Sequence, residues 1–185
     1  MKRNPKILST TSTGLLIIDI QEKILAVMQN PEMVTANTVK LIKGFKVLGL
    51  PIFFTEQYPK GLGPTAQQIA DELRGISPIQ KMSFSCFGAE NLLRDINEKH
   101  ISQVVVAGIE SHVCVQQTVL DLLVNDLQVN IAADAVSSRK EIDYKTALER
   151  MRSNGAEITT AEAILFELLI VCETEEFKAV SKIVK

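Results

Sequence analysis

The sequence predicts a single-domain α/β fold, a doubly wound parallel sheet flanked by helices, and three observations carry that prediction. Short apolar runs rich in valine, isoleucine and leucine recur along the chain and read as strands buried on both faces. Segments with helical spacing of apolar residues alternate with them, as crossover helices do between parallel strands. No internal repeat or low-complexity stretch interrupts the alternation, and 185 residues can bury a full core without disulfides or metals.

Taken in order, residues 1–13 are basic and rich in Ser and Thr, without the apolar stretch of a secretory signal, and read as a surface lead-in to a domain over 14–185. Residues 14–20 (G-L-L-I-I-D-I) form the first strand, with Asp19 near its carboxyl end. Helical spacing of Val34, Leu41, Ile42, Phe45 and Leu48 predicts a helix that Gly49 closes. Residues 51–55 are the second strand, and 56–65, with two prolines and two glycines, a loop. A short helix over 66–73 is expected, with Thr65 as N-cap.

Residues 75–88 have little periodicity and contain Lys81 in an otherwise uncharged stretch. A helix over 89–98 precedes the third strong strand, 103–107, and a helix over 112–126 follows it. Strands are further expected at 127–132 and 156–160, with helices within 138–154 and at 162–172 and 175–183.

The charge balance excludes little but weighs against some partners. A net charge of −2 gives no electrostatic reason to expect nucleic acid or an anionic membrane surface. The apolar runs are too short to span a bilayer. Three widely spaced cysteines, Cys86, Cys114 and Cys172, do not make a disulfide framework, and a reducing cytoplasm is the expected compartment.

Three residues stand out chemically. Asp19 and Cys114 follow apolar strands, at the sheet edge where open α/β folds place their ligands, and Lys81 lies between them in sequence. A cysteine can attack a carbonyl carbon while a carboxylate takes its proton and returns it to a leaving amine. A lysine beside both favours the ionised carboxylate and thiolate. Cys114, placed at a helix start, is expected to gain thiolate character from the helix dipole and free N–H groups there.

These pieces resemble the isochorismatase-like cysteine hydrolases, the superfamily that includes nicotinamidases. The resemblance rests on L-L-I-I-D-I-Q around Asp19, K-M-S-F-S-C-F from Lys81, and G-I-E-S-H-V-C-V ending just past Cys114, in register over 14–166. The loop T-E-Q-Y-P-K-G-L-G-P-T and the string D-A-V-S-S-R at 134–139 are similar to the branch called isochorismatase domain-containing proteins. The resemblance implies a Rossmann-like fold, with Cys114 as nucleophile, Asp19 as general base and acid, and Lys81 as charge partner. It further implies a cis peptide at Ile109–Glu110, an oxyanion hole from the backbone N–H groups of Glu110 and Cys114, and a homo-oligomer.

Two departures narrow the expectation. Where nicotinamidases carry metal ligands this chain has Glu56, Gln57 and Tyr58, and its histidines are only His100 and His112, so neither a metal nor another cofactor is expected. Isochorismatases proper cleave a vinyl ether without needing a cysteine, so Cys114 favours attack on an acyl carbon of a small-molecule amide or related substrate. The alternatives are isochorismatase chemistry and a binding or scaffold protein that retains the site unused. Gln57, Tyr58, Phe84 and Phe87 are candidate pocket walls. Cys86 and Cys172 are expected as buried or half-buried packing residues, and His112, two residues from Cys114, as a capping or surface group rather than a catalytic base.

Overall fold

The computed structural model describes residues 3–89 and 91–185. Six parallel strands form one sheet: β1 (Thr13–Ile18), β2 (Ile52–Gln57), β3 (Ile79–Lys81), β4 (Gln103–Ile109), β5 (Gln128–Ser137) and β6 (Glu157–Thr159), in spatial order β3-β2-β1-β4-β5-β6. The order reverses between β1 and β4, so these neighbours flank the topological switch point where such sheets bind ligands.

The two central strands show why apolar runs predicted them. Every residue of β1 and β4 is buried. Their side chains alternate between two cores: Leu15, Ile17, Val105 and Ala107 enter one, Leu16, Ile18, Val104 and Val106 the other. The first core is closed by α2 (Pro31–Val47), α4 (Gln67–Glu72), α8 (Ala161–Leu169) and α9 (Glu175–Val184) through Phe45, Ile69, Leu165 and Val180. The second is closed by α5 (Leu92–Glu98), α6 (Gln116–Val124) and α7 (Glu141–Ser153) through Leu92, Ile96, Val119, Leu122 and Met151. Each such aliphatic or aromatic side chain stabilises the fold by about 1.5–3 kcal/mol on full burial.

Several boundaries differ from the sequence expectation. β1 ends at Ile18, and Asp19 leaves the strand with φ 52°, a left-handed conformation. β2 runs on through Glu56 and Gln57, and β5 through Asp134 to Ser137. Residues 79–81, expected to be irregular, form β3 against the extended end of β2, with Gln57 opposite Lys81. The loop after β2 contains a single helical turn, α3 (Pro59–Leu62), and another, α1 (Glu22–Leu25), follows Asp19. Thr65 does not cap α4; its N–H and hydroxyl both donate to Glu56 Oε1 at 2.8 Å, pinning the loop to the end of β2.

The helix expected over 112–126 is divided: a wide π-type turn, Ser111–Val115, precedes α6. The helix expected over 89–98 narrows to α5 behind a 3-10 turn, Cys86–Gly88, and Glu90 lies outside the described residues. The helix expected to reach Cys172 stops at Leu169, which leaves that thiol exposed rather than packed. Of the lead-in, residues 1–2 lie outside the described residues; Leu8 is fully buried and Thr13 already belongs to β1. Among the described residues, no helix is long and apolar enough to cross a membrane.

Candidate active site

At the carboxyl edge of β1, Asp19 is 1% exposed and both of its carboxylate oxygens are engaged. Thr55, from β2, donates its hydroxyl to Oδ1 at 2.7 Å, and Lys81, from the end of β3, donates to Oδ2 at 2.6 Å. The Lys81 side chain is wholly buried, so its charge must be met within the protein. Besides Asp19, its ammonium reaches Gln57 Oε1 at 2.9 Å and the carbonyls of Phe84 and Ser83 at 2.9 and 3.2 Å. Four acceptors thus surround three N–H donors. The ammonium is saturated and acts as a fixed charge rather than a hand held out to substrate.

The residue opposite Lys81 is held just as completely. Gln21 accepts the Gln57 N–H at 2.8 Å and donates to the carbonyls of Gln57 and Gly63 at 3.1 and 2.6 Å. Gln57 Nε2 donates to the Met82 carbonyl at 2.8 Å. Gln57, expected as a pocket wall, is therefore a buried strut beneath the site. Tyr58 and Phe84 carry exposed rings, and Phe87 is half-buried against the second core. Tyr58 also lines an open groove of about 970 Å³ on the outer flank of β3 that neither Asp19 nor Cys114 reaches.

Cys114 comes from the other side of the switch point, in the second core. Gly108 makes the approach possible. A Cβ there would lie 2.3 Å from the Ile18 carbonyl oxygen and 2.6 Å from its nitrogen, and φ is 137°, which only glycine adopts readily. The Ile109–Glu110 peptide is cis. In the following turn the Glu110 carbonyl accepts the N–H groups of Val113 and Val115, and the Cys114 carbonyl accepts the Thr118 hydroxyl at 2.7 Å. Thr118 Oγ1 in turn accepts the Cys86 N–H at 3.0 Å, joining the two cysteine-bearing turns.

The thiol is not the thiolate that the sequence suggested. Burial pushes Cys114 far above the ordinary cysteine range, and the negative charge of Asp19 adds to the effect; Lys81 opposes both without overcoming them. The π-type turn also separates Cys114 from the first turn of α6, where the dipole would act. The site thus sets a protonated thiol beside the Lys81–Asp19 ion pair.

Around this centre, Glu110 is buried and accepts Arg139 Nε at 3.0 Å, so the arginine of the D-A-V-S-S-R string braces the turn that carries Cys114. His112 Nδ1 and Ser138 Oγ lie 3.0 Å apart, a contact that braces the turn. Asp134 accepts the Ala161 N–H at 2.8 Å, at the start of α8. The sequence reading missed Thr55, Gln21, Thr118 and Arg139 as contributors. Gln21, Thr55 and Arg139 sat inside motifs already singled out; Thr118 did not. Glu56, which stands where a nicotinamidase would carry metal ligands, is spent on Thr65, and no group of three metal-ligating side chains occurs among the described residues.

The profile of the Isochorismatase domain family matches residues 13–163. The chain belongs to the isochorismatase family. Isochorismatase domain-containing protein 2 of Danio rerio is 36% identical over 178 residues, covering 95% of this chain and 88% of that protein. The Homo sapiens protein of that name is 34% identical over 175 residues, covering 94% and 83%. Among solved structures, MAR1 ribonuclease from Caenorhabditis elegans superposes with a TM-score of 0.89 at 34% identity, covering 96% of this chain and 91% of that one. YcaC from Escherichia coli, described as an octameric hydrolase of unknown specificity, superposes with a TM-score of 0.91 at 20% identity, covering 99% and 91%, a likeness of fold. Family membership makes a hydrolase-type scaffold of the sheet described above, with the isochorismatase switch point occupied by Asp19, Lys81 and Cys114.

Proposed function

We propose that this protein is a cysteine hydrolase of a small amide or related acyl compound, using Cys114, Asp19 and Lys81 and no metal. The observation that carries the reading is the buried Lys81–Asp19 ion pair beside an un-ionised thiol at the β1/β4 switch point. In this reaction Asp19 takes the Cys114 proton while sulfur bonds to the acyl carbon. Collapse of the tetrahedral intermediate breaks the C–N bond, and the Asp19 carboxylic acid gives its proton to the departing amine. Water then attacks the thioester, Asp19 removes its proton, the S–C bond breaks, and the proton returns to sulfur.

Lys81 supplies a fixed positive charge beside Asp19 without touching substrate. Backbone N–H groups of Glu110 and Cys114 serve the oxyanion, a contribution of about 3–4 kcal/mol per donor. Tyr58, Phe84 and Phe87 are proposed to bound the substrate, and a homo-oligomer, by analogy with octameric YcaC, would cover the exposed Tyr58 and Phe84 rings. A ribonuclease reading, suggested by the C. elegans relative, would need a cation free to meet phosphate; Lys81 is saturated and buried.

The test is a panel of small amides, with isochorismate and single-stranded RNA as competing substrates, offered to wild type and Cys114→Ala. The expected result is amine release by wild type alone, with an acyl mass on the Cys114 peptide in quenched reactions. Undiminished amide hydrolysis by Cys114→Ala, or turnover confined to isochorismate or RNA, would overturn the proposal.

A further inference from the structure

A hydroxyl–thiol pair lies beside the Asp19 carboxylate, and the reaction above does not use it. Thr55 Oγ1 is 2.7 Å from Asp19 Oδ1 and 3.8 Å from Cys86 Sγ, and both Thr55 and Cys86 are sealed from solvent. A threonine hydroxyl has one proton to give. Burial raises the Cys86 thiol to about 11, so it stays protonated and can donate to Thr55. A carboxylate accepts and never donates, so the Thr55 proton goes to Asp19. The direction of both contacts is thereby settled: thiol to hydroxyl, hydroxyl to carboxylate.

The consequence for Asp19 is geometric. Lys81 holds one oxygen and Thr55 the other, from two different strands, which fixes the plane of the carboxylate. The titratable groups around it are Lys81 from β3, Cys86 from the 3-10 turn and Cys114 from the π-type turn. We infer that Thr55 is a positioning residue for the general base, holding Asp19 in the orientation that receives the Cys114 proton. This rests on the cysteine-hydrolase reading and adds to it a residue outside the Cys-Asp-Lys set.

The experiment measures the second-order rate of acrylamide alkylation at Cys114, by peptide mass spectrometry, along the acid limb of its pH profile. Thr55→Val keeps the shape and removes the donor. It should slow alkylation about tenfold, and the acid limb should move to higher pH because a carboxylate that has lost a donor is protonated more readily. Thr55→Ser should restore both rate and limb, which a purely structural role for the methyl group would not do. Thr55→Ala serves as the second deletion should the valine variant not fold.

Wild-type rate and limb in Thr55→Val would overturn the inference, as would Thr55→Ser behaving like Thr55→Val. A wild-type Cys114 that labels no faster than exposed Cys172 would instead overturn the nucleophile assignment and the inference with it, so the two failures are distinguishable.

Discussion

Lys81 Nζ and Asp19 Oδ2 lie 2.6 Å apart with both side chains buried, so neither charge can fall back on water if the other is removed. That dependence makes the pair strongly coupled. Replacing Lys81 with Met leaves a carboxylate in the core with one donor, Thr55, and is expected to destabilise the protein by about 3–5 kcal/mol at neutral pH. Urea unfolding of Lys81→Met, Asp19→Asn and the double variant checks this; a double variant whose loss equals the sum of the singles would argue against coupling.

Gly108 has no room for a side chain. Only 2.3 Å would separate a new Cβ from the Ile18 carbonyl oxygen, and backbone must move to admit it. Gly108→Ala is expected to cost about 3 kcal/mol from the strained φ and the clash together. Because the clash is with the residue before Asp19, it should also part the base from the thiol. Thermal melts and Cys114 labelling should fall together, and a variant with normal labelling would show that β1 and β4 tolerate separation.

Cys86 makes stability depend on alkaline pH. Its thiol is raised from 9.0 to about 11 by burial, so above pH 9 the unfolded chain loses this proton while the folded protein keeps it. Its contribution is therefore fully present below pH 9 and is lost as pH rises to about 11, where the folded thiol ionises. The window is worth about 3 kcal/mol. Cys114 adds to the same alkaline decline. Denaturant midpoints at the two ends of the window should show a smaller decline in Cys86→Ala than in wild type; equal declines would remove Cys86 as a cause.

The central strands and two of the three candidate site residues, Asp19 and Cys114, were legible because their signals are local. β1 and β4 are uninterrupted apolar runs, and a carboxylate or thiol just beyond such a run is conspicuous. β3 was not legible: three residues that include Gln80 and Lys81 carry no periodicity, and the strand exists through its pairing with β2. The same pairing drew Glu56 and Gln57 out of the expected loop, since polar side chains that face a buried lysine or a threonine look like loop residues in sequence. The protonation of Cys114 misled for another reason. A helix start argues for thiolate, but desolvation by distant segments outweighs it, and burial is a property of the whole fold. Thr55 stood in a quoted string without a role, because a threonine in a strand is commonplace and its contact with Asp19 is made only by the fold.

The short length of β3 has a consequence beyond topology. Lys81 is carried by a three-residue strand with a neighbour on one side only, whereas Asp19 and Cys114 follow strands supported on both. Edge segments open at lower free energy than central ones. An opening of this selvage would carry the ammonium away and leave Asp19 without its counter-charge, and the four acceptors around Lys81 are what hold this thread in place. Substitutions along the outer flank of β3 would tune how long the ion pair stays closed.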